Sequence, residues 1–192
     1  MKYQFVDHVK AELFDVTKGA WLAQIDAHSE NVSATYYNAA LEYTERTVHG
    51  DLKTADAGGC VCAVVEEGSE YAAALLVVTH AKAKSEVRML DVYVQPSLNL
   101  ADAPQPSYAA LAWIAATAIV GCLHLTYERF PSRQLKIHTA IPLDAQFMSG
   151  VATAILGVDS LSHLYDVTSH GNWLMVTKKE GQVEPTLKAV AS

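Results

Sequence analysis

A chain of 192 residues with 51% apolar side chains has room for one domain with a sizeable core and little room for two. Its net charge is −7, and its lysines and arginines are scattered singly. A nucleic-acid backbone needs clustered cations to release counterions, so no nucleic-acid partner is expected.

Met1–Lys10 alternates loosely, with Tyr3 and Phe5 against Lys2 and Gln4, as a first strand would. Asp7 and His8 make it too polar for a signal peptide. Two helices are expected next. Thr17–His28 carries Trp21, Ile25 and His28 on one face, and Ser33–Val48 carries Tyr37, Leu41, Thr44 and Val48, with Ser33 as N-cap. Gly50–Gly59 reads as a polar loop closed by glycine. Cys60–Glu66 and Tyr71–Lys82 read as strands joined by the turn Glu67-Gly-Ser-Glu70, and Val87–Gln95 as the third strand of that meander.

Pro96, Pro104 and Pro106 exclude regular helix from the following loop, while Pro106 suits the first turn of a long apolar helix reaching Thr126. Its run Ala109–Leu125 falls short of the roughly 20 residues that cross a bilayer and contains Thr117, Gly121 and His124, so a buried helix is expected and no membrane span. A helix apolar nearly all round needs a cover from neighbouring layers or from a second subunit, which makes a homodimer an expectation. Leu135, Ile137 and Thr139 alternate with Lys136 and His138 in a half-buried strand, and the helical crossover before it is long enough for parallel pairing. Asp144–Leu156 is an amphipathic helix ended by Gly157; one or two strands follow within Leu161–Lys178. The fold class is therefore α/β (α+β), a mixed, mostly antiparallel central sheet with helices on both faces. Residues 1–180 form the domain and 181–192 a loose tail.

This element order, together with Leu90-Asp-Val-Tyr-Val-Gln-Pro-Ser97, resembles the acyl-CoA N-acyltransferase fold of the Gcn5-related N-acetyltransferases, in which a hydrophobic-x-Val-x-Pro strand precedes the cofactor loop. The resemblance implies a fourth strand that splays from the fifth and offers its backbone at Val92, Tyr93 and Val94 to pantetheine. It also implies acetyl-CoA as donor and an amine acceptor, either a small molecule or a protein. The chain departs from the family at the pyrophosphate loop, where Gln95–Ser107 holds no glycine and no basic residue, and Asp102, Pro104 and Pro106 disfavour phosphate. Ser97, Asn99, Ser107 and Tyr108 are the partners left for the cofactor. The helix after the fifth strand lacks the family's frequent tyrosine acid, and Tyr165 beyond it is the remaining candidate.

Asp91, assigned to one face with Met89 and Tyr93, is the candidate base, because a carboxylate between apolar neighbours has its pKa raised. Its alternative is a structural pairing with Arg88 or a lysine. His138 near the end of the fifth strand is a second candidate, and a partly exposed histidine without a role is its alternative. Tyr36, Tyr37 and Tyr43 line an acceptor pocket or simply pack their helix.

The eight histidines lack H-x-x-x-H or H-E-x-x-H spacing, so no metal is expected. The three cysteines, Cys60, Cys62 and Cys122, form neither C-x-x-C nor a zinc quartet, and read as buried apolar side chains in a reduced, cytoplasmic setting. Two functions stay open: an acyl-CoA-dependent N-acyltransferase, and a catalytically inactive binding or assembly protein of the same fold.

Overall fold

The computed structural model describes residues 2–30, 32–49, 57–100, 105–139, 142–157 and 162–179. The expected tail 181–192 and most of the loop 50–59 lie outside them. In chain order the elements are β1 (Tyr3–Val6), α1 (Ala11–Ala27), α2 (Ala34–Val48), β2 (Ala57–Glu66), β3 (Ala72–Ala81) and β4 (Glu86–Val94). They continue with α3 (Gln105–Leu125), β5 (Gln134–His138), α4 (Pro142–Leu156), β6 (Tyr165–His170) and β7 (Trp173–Lys178).

All seven strands join one sheet in the order β1-β2-β3-β4-β5-β7-β6. Every pairing is antiparallel except β4 with β5, which the α3 crossover makes parallel. The β6–β7 hairpin turns at Gly171 with φ 57°, and the β2–β3 turn holds Gly68 at φ 85°, a region open to glycine at little steric cost.

Strand alternation sends one set of side chains to each face. Cys62, Val64, Leu76, Val78, Met89 and Ile137 meet α3 and α4 on one side. Val61, Ala63 and Leu75 meet Phe14, Trp21, Ile25, Tyr37 and Leu41 of α1 and α2 on the other. All three cysteines are free and buried in the first core.

Helix α1 starts at Ala11, ahead of the expected Thr17, because Phe14 extends the stripe Thr17, Trp21, Ile25 by one turn. His28 falls at its C-cap instead of on the buried face. The Ser33 hydroxyl caps α2 by accepting the Tyr36 N–H at 3.3 Å, as its sequence implied.

Helix α3 is long and apolar enough to cross a membrane, yet it lies along the sheet with half of that stretch buried. Ile114, Ala118, Ile119, Cys122 and Leu123 fill the core, whereas Tyr108 and Trp113 stay 60% and 52% exposed. Its apolar composition thus serves a core helix that is covered on one side by its own chain.

Gly121 lets Phe5 of β1 lie directly on α3: a Cβ at this position would overlap the base of the Phe5 ring. Gly121→Ala should cost about 1–3 kcal/mol by overpacking, less the roughly 1 kcal/mol that alanine returns to a helix interior. Urea unfolding of Gly121→Ala, Phe5→Ala and the double variant checks this. The double variant should be more stable than the sum of the two single losses allows.

Candidate functional site

The pairing of β4 with β5 covers only Glu86–Met89 against Gln134–Ile137. From Leu90 to Val94, β4 runs on beside β3 with no β5 partner, so the two parallel strands fork. A bulge sets the fork. The register steps from Val78 opposite Met89 to Val77 opposite Asp91, leaving Leu90 extra, and such an extra residue bends and twists its strand.

The bulge also corrects one expectation. Met89 faces the α3 core, whereas Tyr93 faces α1 and α2, and Asp91 lies on the Tyr93 side. Alternation counted along the sequence cannot register the additional residue, so it places Asp91 and Met89 together.

Below the fork, Glu86 ties the strands. Only 5% exposed, its carboxylate accepts from Arg88 Nε at 2.9 Å and Nη2 at 2.7 Å, from Gln134 Nε2 at 2.9 Å and from Lys136 Nζ at 2.7 Å. Burial pushes its pKa up, but the hydrogen bonds and charges of Lys136 and Arg88 outweigh that and hold it below the ordinary value. Its stabilising effect is therefore fully present above about pH 4.3, the ordinary glutamate value, and fades as pH falls through the depressed folded value. Glu86→Gln should lower stability at neutral pH by about 2 kcal/mol, since charge-assisted hydrogen bonds are lost. It should also flatten the acid limb when urea unfolding is compared across that range. Arg88, committed to Glu86, is not the partner of Asp91.

The mouth of the fork gathers Asp91, Tyr93, His138 and tyrosines of α2. Burial raises the Asp91 pKa, and the nearby His138 and a hydrogen bond from the Tyr93 hydroxyl offset part of that rise. Burial first, then Asp91, Tyr36 and Tyr43, push the Tyr93 phenol up as well. The Tyr36 ring stands edge-on to Tyr37 at 5.2 Å and to Tyr93 at 6.0 Å, and is 48% exposed at the rim. His138 lies 5.0 Å from the Trp173 ring.

The orientation of the β4 edge follows from one peptide unit. Gln95 N–H donates to Ala73 O on β3 at 2.8 Å, so the Val94 carbonyl of the same trans peptide points the opposite way, into the fork. Two-residue alternation turns the Val92 amide and carbonyl there too, while the Tyr93 backbone faces Leu75 of β3. The Val94 carbonyl is already engaged: the Tyr37 hydroxyl donates to it at 2.9 Å and accepts from Asn99 Nδ2 at 3.1 Å. Burial drives the Tyr37 phenol up to about 12, moderated by Asn99, which keeps it a donor.

Other expected residues divide. Ser97 N–H donates to Gln24 Oε1 at 3.1 Å, Ser107 is buried, and Tyr108 is exposed in the first turns of α3. Tyr165 is not at the fork. It pairs opposite Lys178 at the far end of the β6–β7 hairpin from His170 and Trp173, and its buried hydroxyl meets that of Tyr127 at 2.9 Å. Strand β7 carries Trp173 beside His138, so Tyr165 belongs to the closed end of the sheet. Sequence reading left out Gln24, Glu86 and the bond from Tyr37 to Val94. A glutamate two residues before an arginine at a strand start hinted at the Glu86 cluster, but no local pattern announced the other two. Among the described residues, no three histidines, cysteines or acids converge as a metal site.

No family model and no curated protein sequence matches the chain. In shape, it superimposes on a Vibrio cholerae structure with the provisional name ribosomal-protein-serine acetyltransferase, with a TM-score of 0.50 over 92% of each chain at 10% identity. The fold is that of the Gcn5-related N-acetyltransferases. Also similar are the Campylobacter jejuni N-acetyltransferase PseH, at TM-score 0.44, 8% identity and coverage of 94% of this chain and 98% of that one, and the Thermoplasma acidophilum PaiA N-acetyltransferase, solved with coenzyme A, at 0.42, 10%, 93% and 100%. The forked strands and the bulge of β4 are thus features of a chain with an acetyltransferase fold.

Proposed function

We propose that the chain transfers an acyl group from a thioester such as acetyl-CoA to an amine. The observation that carries this reading is the placement of Asp91: a carboxylate of raised pKa at the mouth of the fork, next to a β4 edge without a strand partner. A thioester donor supplies an activated acyl carbon. An amine is protonated at neutral pH and attacks only after losing a proton, and Asp91 is a better acceptor for it than an ordinary carboxylate. The nitrogen–carbon bond then forms and the carbon–sulfur bond breaks. One proton of the ammonium goes to Asp91 and the second leaves with the thiol.

His138 beside Asp91 favours its ionised form, and Tyr93 orients it. The unpaired edge at Val92 can receive the amides of a pantetheine arm as a sheet receives another strand. The acidic, tyrosine-rich mouth suits a cationic acceptor, either a polyamine-like small molecule or a protein lysine. The free, buried cysteines accord with a reduced cytoplasm.

The test is thiol release from acetyl-CoA by the purified protein with a panel of amines. Amine-dependent release above the spontaneous rate is the expected result. Neither release nor thioester binding with both substrates at millimolar levels would overturn the reading. The second reading, a binding protein without catalysis, would then stand. The Ser97 N–H, already given to Gln24, and the absence of glycine and of cations from the sequence Gln95–Ser107 speak for it.

A further inference from the structure

Strand β2 carries two cysteines that the fork does not use. Cys60 and Cys62 are two residues apart, so alternation turns both toward α3, opposite Val78 and Leu76 of β3. Their sulfur atoms stand 3.8 Å apart. Both side chains are buried, but exposed Gly58 and Gly59 precede them along β2, and exposed Arg129 reaches in from the turn after α3. Arg129 Nη1 donates to the Asp7 carbonyl at 2.6 Å, and Cys62 Sγ donates to the same oxygen at 3.3 Å, so one carbonyl separates a guanidinium from the sulfur pair.

The two thiols are unequal. The hydrogen bond from Cys62 outweighs burial and, with the Arg129 charge against that of Asp7, holds the Cys60 thiol below its ordinary value. The same bond and burial push the Cys62 thiol up. One proton therefore leaves more readily, and the other is held at the sulfur pair until a stronger competitor displaces it. A soft cation is that competitor, because thiolates select copper(I) and similar ions.

Geometry limits the coordination. Zinc asks for four ligands in a tetrahedron, and among the described residues no third histidine, cysteine or acid converges on the pair. Cys122 is engaged elsewhere, with its Sγ on Met89 Sδ at 3.8 Å. Two thiolates in line about one ion span about 4.6 Å, twice a metal–sulfur bond of about 2.3 Å. Small side-chain rotations open the present 3.8 Å to that span.

We propose that Cys60 and Cys62 form a two-coordinate site for one soft monovalent metal ion of the copper(I) class. The ion displaces both thiol protons and keeps its oxidation state, and the site is left with one negative charge, which Arg129 offsets. This site is separate from the fork and independent of the acyltransferase reading.

The test offers copper(I) to the purified protein without oxygen in millimolar glutathione, then desalts it and reads X-ray absorption at the copper edge. About one ion per chain should remain, with two sulfur neighbours within about 0.2 Å of 2.3 Å. No retained copper, or three or more sulfur neighbours, overturns the proposal. Cys62→Ala should abolish retention and Cys122→Ala should keep it; the reverse pattern also overturns it. Arg129→Gln, at an exposed position, leaves the core intact and should weaken copper(I) binding by about three- to tenfold against a competing chelator. An unchanged affinity overturns the charge balance on which the site rests.

Discussion

Asp91→Asn is expected to lower amine acylation by about 10²- to 10⁴-fold, the range contributed by a positioned general base, while leaving the fold as stable as before or more so. The two effects have one cause. Burial raises the Asp91 pKa in the folded chain above its unfolded value, so the native state holds the proton to higher pH. Stability therefore falls as pH rises from the unfolded pKa through the folded one, and at neutral pH the ionised carboxylate works against folding. Asparagine removes that charge without changing the shape. In the wild type, the rate should climb with pH along a limb above the ordinary carboxylate range, and the asparagine variant should lack that limb. Thermal unfolding and the pH profile of kcat/KM together check the claim. A structural aspartate would behave oppositely: its replacement would lower the melting temperature and leave the profile unchanged in form.

The order and type of the elements were legible because each carries its own periodicity. The meander, the apolar α3 and the half-buried β5 are visible in runs of alternating or helical spacing, and proline marks the loop before α3. Features that depend on two distant segments were not. The Leu90 bulge is invisible to a two-residue count because it adds one residue without changing composition, yet it decides which face Asp91 joins. The bond from Tyr37 to Val94 spans 57 positions and that from Gln24 to Ser97 spans 73, so no local window holds both partners. Tyr165 illustrates the converse: a residue chosen for its chemistry alone was placed by β-pairing at the far end of the hairpin. At the fork itself, Asp91 and His138 are legible because a carboxylate among the apolar residues of β4 and an imidazole at the end of β5 are conspicuous in sequence. The bond that the Ser97 N–H gives to Gln24 is not, since the missing glycines show only that the loop differs.

The largest effect on stability is expected from Trp21→Ala. Trp21 is fully buried between α1 and the sheet, edge-on to Tyr37 at 6.0 Å, and its Nε1 donates to Ala72 O at 2.9 Å. Thr17 on the previous turn accepts the Ala72 N–H at 3.0 Å, so α1 satisfies both backbone groups of the residue where β3 begins. Emptying the indole site costs about 3–5 kcal/mol, and the orphaned carbonyl adds roughly 1–3 kcal/mol where water cannot reach it. Against a total stability of about 5–15 kcal/mol, the variant should be partly unfolded at ambient temperature. Trp21→Phe separates the two contributions, since it keeps most of the volume and loses only the donor; its cost should be less than half that of alanine in urea unfolding. Tyr37 leans on Trp21, and through its hydroxyl it holds the Val94 carbonyl, so the phenylalanine variant should also loosen the mouth of the fork and raise KM more than it lowers kcat. A loss below about 1 kcal/mol for Trp21→Ala would mean that α1 is not clamped to β3 by this side chain. The support for Tyr37 at the fork would then have to come from Asn99 and from its ring contact with Tyr36.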